Sequence, residues 1–388
     1  MVLLNTQFKK LKREYVFPII DRKLAEMREK FPHLSIVNLG VGDIALPLVP
    51  SVASAICAAT QEMTKPLTLH GYGPSVGYLF LREAISRLYG ACAIDPDEIF
   101  ISDGTGSDVG NIQELLSPRC KIGIPDPTYP AYLDSAIISG RLSKVTFLPC
   151  TEATGFVPLP PSEHLDVIYL CTPNNPTGVA LTRQQLKAWI DYAHRENALL
   201  LVDNAYEAFV SSPDVPRSIY EIEGAKDVAI EFRSFSKSAG FTGLRCAYTV
   251  LPRTVSQGKL HPMWKKRQNI KFNGVSYPIQ RGAEAALSSQ GLQETRSQIG
   301  HYLLQGQLLS QGLRKLGFTC AGGQDAPYIW WKVPSGKTSW DFFDEILNKC
   351  QLISIPGRGF GHHGEGYMRL STFTTQTPLA LERLCALK

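Results

Sequence analysis

The chain has 388 residues, 44% of them hydrophobic and 19% charged, with a formal net charge of +5. That balance excludes a disordered or fibrous chain, and the length exceeds what one core usually supports, so two domains in one folded unit are expected. Lys and Arg are scattered apart from the run Lys265-Lys266-Arg267, which reads as a solvated helix face, so no nucleic-acid partner is expected.

Nine cysteines are spread evenly with no CxxC pair, which favours reduced thiols over a disulfide framework or a zinc site. The opening MVLLNTQFKKLKREY has no apolar stretch long enough for a signal peptide, and no segment approaches the ~20 apolar residues of a membrane span. A cytoplasmic protein without a membrane partner is the expectation.

In chain order, residues 16–31 carry Phe17, Ile20, Leu24 and Met27 at helical spacing. Short runs rich in Val, Ile and Leu follow at 98–102, 121–124, 143–148, 167–171, 198–202, 228–235 and 247–250, and they read as buried strands. Helical patterns at 108–116 and 182–197 lie between them, the second carrying Leu186, Trp189, Ile190 and Ala193. Strand and helix alternating in this way predict a mostly parallel sheet covered on both faces. The last third predicts a long helix at 292–316, a strand at 328–333, a helix at 340–350 and a strand at 368–372. The fold class is therefore α/β: a large domain over 48–275 with a mostly parallel sheet flanked by helices, and a smaller α+β domain from 1–47 with 276–388.

The residues suited to chemistry stand where strands end. Asp103 to Gly110 is a glycine-bearing loop between a strand and a helix, where backbone N–H groups at the helix start bind phosphate. Its GxGxxxG spacing also admits, weakly, an NAD-dependent dehydrogenase. Pro125-Asp126-Pro127-Thr128-Tyr129-Pro130 holds an aromatic between prolines, able to stack on a planar ring or simply to pack in a turn. Asn174-Asn175-Pro176-Thr177-Gly178 is a tight turn after the next strand.

Val202-Asp203-Asn204-Ala205-Tyr206 puts a carboxylate at a parallel strand's carboxyl end, where open α/β sheets place ligands; capping of a following helix is the other common role there. Ser234-Phe235-Ser236-Lys237, with Gly240, Gly243 and Arg245, places an amine among hydroxyls and a guanidinium. Such a set suits an amine that condenses with an aldehyde beside a bound phosphate, although the segment alone also fits an ordinary surface lysine. His362, His363 and Glu365 lack a third strong ligand or helical spacing and read as a Gly-rich loop, so no metal is expected.

As an ordered set, these segments resemble the fold-type I pyridoxal-phosphate aminotransferases over about 37–369. Gly40-Val41-Gly42-Asp43, His70-Gly71-Tyr72-Gly73, Ser102-Asp103-Gly104, Phe272-Asn273-Gly274 and Pro356-Gly357-Arg358-Gly359-Phe360-Gly361 are similar to the LL-diaminopimelate aminotransferase branch of that family. The resemblance implies pyridoxal 5′-phosphate as cofactor and transfer of an amino group from LL-diaminopimelate to 2-oxoglutarate, giving tetrahydrodipicolinate and glutamate, reversibly, in lysine and cell-wall precursor synthesis.

It also implies roles. Lys237 bonds the cofactor's aldehyde and then serves as the base at Cα. Asp203 holds the pyridine nitrogen, Asn175 and Tyr206 the ring hydroxyl, and Tyr129 the ring face. Thr105, Gly106, Ser234, Ser236 and Arg245 hold the phosphate, with Tyr72 reaching in from the other subunit of a homodimer. Arg369 grips the substrate α-carboxylate, with Tyr15, Gly42 and Asn273 lining the substrate pocket and Tyr129 and Asn175 beside it.

The chain departs from the branch at Pro74-Ser75-Val76, where an acidic residue is usual, and at Gly106, where a lysine is common. An aspartate or aromatic aminotransferase and a β-lyase are the alternatives with the same cofactor; a non-catalytic regulator on the same fold ranks last, because no basic helix-turn-helix segment is appended.

Overall fold

Side chains on a strand alternate between faces, so a run apolar at every position settles only where both faces are covered. The computed structural model, which describes residues 2–11, 16–33 and 35–387, has thirteen strands among them. They are β1 (Val37–Asn38), β2 (Ile99–Ser102), β3 (Ile122–Asp126), β4 (Val145–Pro149), β5 (Val167–Cys171), β6 (Leu199–Asp203), β7 (Ala229–Ser234), β8 (Ala247–Val250), β9 (Cys320–Gly322), β10 (Tyr328–Lys332), β11 (Leu352–Ile353), β12 (Ile355–Pro356) and β13 (Tyr367–Ser371). The seven from β2 to β8 form one sheet in the order β2-β8-β7-β6-β5-β3-β4. Its pairs are parallel except that β8 runs against both β2 and β7.

Two apolar cores use the alternation. Ile99, Ile101, Ile168, Leu170, Leu200 and Val202 enter one, while Phe100, Val167, Tyr169, Leu199 and Leu201 enter the other. The helix Arg183–Glu196 covers the first face with Leu186, Trp189, Ile190 and Ala193. Thr182 and Gln185 form a capping box at its start and Asn197, at φ 53°, ends it; such a cap contributes about 1 kcal/mol. The helices Pro50–Glu62 and Tyr277–Ala286 pack on one another against the same core through Val52, Ile56, Ala283 and Ala286.

A further core joins the two ends of the chain. Val16, Ile20, Leu24 and Met27 of the helix Val16–Lys30 pack with Phe342, Phe343, Ile346 and Leu347 of the helix Ser339–Cys350. The antiparallel sheet β12-β13-β10-β9 lies against them, and β1 pairs in parallel with β11, Val37 opposite Leu352. The 27-residue helix Ser289–Lys315 carries Ile299 and Tyr302 near the large sheet's carboxyl edge and Leu309 and Leu313 into the terminal core. No described helix is long and apolar enough to cross a membrane.

Candidate active site

A cavity of about 480 Å³ opens at the carboxyl ends of β2, β3, β5, β6 and β7, against β10 and β13 of the smaller sheet. Twelve of the expected residues line it: Gly42, Thr105, Gly106, Tyr129, Asn175, Asp203, Tyr206, Ser234, Ser236, Lys237, Arg245 and Arg369. Tyr72, 92% exposed, and Asn273 lie beside one another in a separate surface depression and do not line the cavity of their own chain. Tyr15 falls outside the described residues.

Lys237 is set by the turn that ends β7. The Ser234 side chain accepts from the Ser236 N–H at 3.0 Å and starts the single helical turn Phe235–Ser238. From there the Lys237 ammonium donates to the Gly42 carbonyl and stands 3.9 Å from the Asp43 carboxylate. Burial lowers its pKa from 10.5 to about 8; Asp43 opposes the shift, and Arg369 and Arg245 add to it. An amine so poised is neutral often enough near neutral pH to act as nucleophile and base.

Asp203 ends β6 with 5% exposure. One carboxylate oxygen accepts from the Tyr132 hydroxyl at 2.6 Å, while Oδ1 is buried without a partner among the described residues. Burial pushes its pKa up to about 6, and the Tyr132 hydrogen bond pulls the other way. A buried carboxylate with one oxygen unmatched calls for a cationic N–H, which a protonated pyridine nitrogen provides. Tyr132, on the helix Ala131–Ile138, was not singled out in the sequence; its place three residues after Tyr129 is the one signal that points to it.

The anion pole lies across the cavity. Arg245 donates to Ser236 Oγ at 3.4 Å and to the Thr242 carbonyl at 3.1 Å. A Cβ at Gly104 would stand 2.2 Å from the guanidinium, so the glycine makes room for it. Arg245 itself has φ 61°, in the left-handed region that costs a non-glycine residue of order 1 kcal/mol. Hydroxyls of Thr105, Ser234, Ser236 and Thr242 line the same cavity, a donor set suited to a phosphate.

Arg369, on β13, is 2% exposed and donates to Asn175 Oδ1 at 2.7 Å and to the Gly40 carbonyl at 2.6 Å. Its guanidinium is held between the Tyr328 and Phe360 rings, 4.6 and 4.8 Å away, and its Nε has no partner among the described residues. Burial without a carboxylate lowers its pKa. Tyr206 meets the Tyr328 hydroxyl at 3.0 Å. Asp43, Cys171, Tyr328 and Phe360 also line the wall; none of them was assigned a role from the sequence, although Asp43 and Phe360 stand in the Gly-rich motifs that carry the resemblance.

An amine, a carboxylate short of a cation, a phosphate-type donor cluster and a buried guanidinium short of an anion thus face one space, and they fit pyridoxal phosphate together with a carboxylate substrate. The model of the aminotransferase class I and II family matches residues 35–386. Two LL-diaminopimelate aminotransferases are each 46% identical to the chain: that of Parabacteroides distasonis over 96% of both chains, and that of Agathobacter rectalis over 100% of both. Among solved structures, the L,L-diaminopimelate aminotransferase from Chlamydomonas reinhardtii superposes with a TM-score of 0.94 at 38% identity, covering 100% of this chain and 98% of its own. The chain belongs to the class I and II aminotransferases and is a pyridoxal-phosphate-dependent transaminase.

Proposed function

We propose that the chain transfers the amino group of LL-diaminopimelate to 2-oxoglutarate, reversibly, forming tetrahydrodipicolinate and glutamate, and that it does so as a cytoplasmic homodimer. The observation that carries the reading is the near full-length likeness to enzymes of that name, joined to a buried Arg369 whose Nε has no partner among the described residues. The division into domains over 48–275 and over 1–47 with 276–388 is part of the same reading; the separate apolar cores of the two sheets support two domains, while Ala283 and Ala286 of the helix Tyr277–Ala286 pack in the core of the large one.

Pyridoxal phosphate, when bound, supplies an aldehyde that condenses with amines and a protonated ring that takes up the electron pair left at the substrate's Cα. Lys237 would hold the aldehyde and would take the proton from the substrate's Cα with its neutral amine. Asp203 would keep the ring nitrogen protonated with its unpartnered oxygen, the other being occupied by Tyr132. Asn175 and Tyr206 would hold the ring hydroxyl, Tyr129 would cover a ring face, and Thr105, Gly106, Ser234, Ser236 and Arg245 would hold the phosphate. Arg369 binds the α-carboxylate beside Gly42. Tyr72 and Asn273, exposed together outside their own cavity, complete that of a second copy.

Replacing Arg369 by lysine removes the planar fork while keeping the charge. KM for the amino-acid donor is expected to rise roughly 10- to 100-fold with much less change in kcat, measured by steady-state kinetics.

The test of the function is glutamate production from LL-diaminopimelate and 2-oxoglutarate, run beside aspartate, aromatic amino acids and cystathionine. Glutamate formed with LL-diaminopimelate as the preferred donor supports the reading. Preference for aspartate or aromatic donors, or pyruvate release from cystathionine, overturns it. Ser75, uncharged and hydrogen-bonded to Asn269 near Tyr72, favours a broader donor range as the second reading.

A further inference from the structure

Outside the residues assigned above, a buried polar cluster joins the large sheet to the Gly-rich loop that follows β12. Asp126, the last residue of β3, is 3% exposed. Its carboxylate accepts from the His362 N–H at 3.1 Å, from the His363 N–H at 3.3 Å and from His363 Nδ1 at 3.0 Å. Two residues on, the Thr128 N–H donates to the Phe360 carbonyl at 3.1 Å. The loop therefore rides directly on the carboxylate: a Cβ added at Gly361 would stand 1.7 Å from Asp126 Oδ1. At the loop's other end Glu365 accepts from the Ser339 N–H at 2.7 Å and from Ser339 Oγ at 3.1 Å, which ties it to the terminal core.

What the loop delivers is Phe360. Its ring lines the cavity and forms one of the two faces between which the Arg369 guanidinium is held. A planar guanidinium binds a carboxylate through two parallel N–H donors, so a tilt of its plane weakens the grip while leaving its charge in place. We propose that Asp126 is a positioning residue for substrate recognition, holding the 357–366 loop so that Phe360 fixes the plane of Arg369 for the donor's α-carboxylate. The inference rests on the aminotransferase reading of the cavity.

The experiment compares glutamate with 4-aminobutyrate, the same donor without its α-carboxylate, in single-turnover amino-group transfer by the holoenzyme. Asp126→Asn, which withdraws charge from three donors, is expected to raise the half-saturating glutamate concentration about tenfold while the rate constant per mole of 4-aminobutyrate stays unchanged. Gly361→Ala, which pushes the loop off an intact Asp126, is expected to give the same selective loss and serves if the first variant fails to fold. Equal loss on both donors, as a general disturbance of nearby Tyr129 or of the fold would give, overturns the proposal, and so does no loss on either. If the wild-type protein transfers from neither donor, the aminotransferase reading itself fails. The tie is then read by amide hydrogen exchange over 357–366, where acceleration in Asp126→Asn supports it and unchanged exchange overturns it.

Discussion

Replacing Lys237 by alanine is expected to lower kcat for amino-group transfer by on the order of 10⁴-fold, since the variant loses both the covalent tie to the cofactor and the base at Cα. Arginine at the same position should be equally inactive, because a guanidinium stays protonated and cannot take up a proton. The fold should survive, since among the described residues the one side-chain hydrogen bond given up is that to the Gly42 carbonyl.

The cofactor-free alanine variant should in fact be the more stable protein at neutral pH. Burial holds the Lys237 pKa at about 8, below its ordinary 10.5, so folding disfavours the charged form. For a base with a lowered folded-state pKa, the penalty is fully present below about pH 8 and fades as the pH rises towards 10.5. A shift of that size corresponds to about 3 kcal/mol, to be read as the difference in denaturant unfolding between apo wild type and apo Lys237→Ala at pH 7, shrinking by pH 10. No difference between the two proteins at pH 7, or one that is unchanged at pH 10, would contradict the assignment of a desolvated amine.

The second large effect is expected at Asp203. Asparagine there keeps the shape and can still accept the Tyr132 hydrogen bond, but it carries no charge to hold a proton on the ring nitrogen. Breaking a buried charge pair from one side costs about 3–5 kcal/mol, so kcat should fall on the order of 10³-fold, with the loss concentrated in proton removal from Cα. A substrate deuterated at Cα, compared with the unlabelled one, would show that step becoming fully rate-limiting. Retention of more than about a tenth of the activity would rule out the role given to Asp203, that of keeping the ring nitrogen protonated. Since burial puts the carboxylate's pKa at about 6, cofactor affinity of the wild-type apo-protein should also weaken as the pH falls through that value, where Oδ1 begins to lose its negative charge.

These residues were legible in the sequence for a physical reason. A strand buried on both faces is often a short apolar run, and the polar residue that ends it is a conspicuous break, as Asp203 is after Leu199–Val202; β7 instead carries Glu231 and Arg233, and Lys237 was legible from the Ser-Phe-Ser-Lys turn beyond it. The strands β5 and β8 have the bounds expected of them, and the other five of the large sheet lie within two residues of theirs.

Helices without large apolar residues were harder to read. Pro50–Glu62 and Tyr277–Ala286 were not anticipated, because they meet through small side chains: a Cβ at Gly282 would lie 2.6 Å from Ile56 Cγ1, so the contact depends on what is missing from the sequence. The two-residue strands β1, β11 and β12 are too short for any alternation to show. In the helix Thr105–Asn111, expected to begin only at 108, Gly106 and Gly110 weaken the helical signal just where the first turn faces the cavity.

The supporting residues were the least visible. Tyr132, Tyr328 and Asp126 act by touching Asp203, Arg369's ring sandwich and a distant loop, and those contacts span 71, 41 and more than 230 residues of chain. Composition and local spacing carry no record of them. Asp203 could be named from a strand end and Arg369 from the family resemblance; the groups that hold them in place could be named only once the sheets were assembled.

The most direct measurement is borohydride reduction of the holoenzyme followed by peptide mapping. The cofactor's mass should be found fixed to the peptide containing Lys237, and absent from that peptide when the cofactor is removed beforehand. Label on a different lysine, or none at all, would contradict the account.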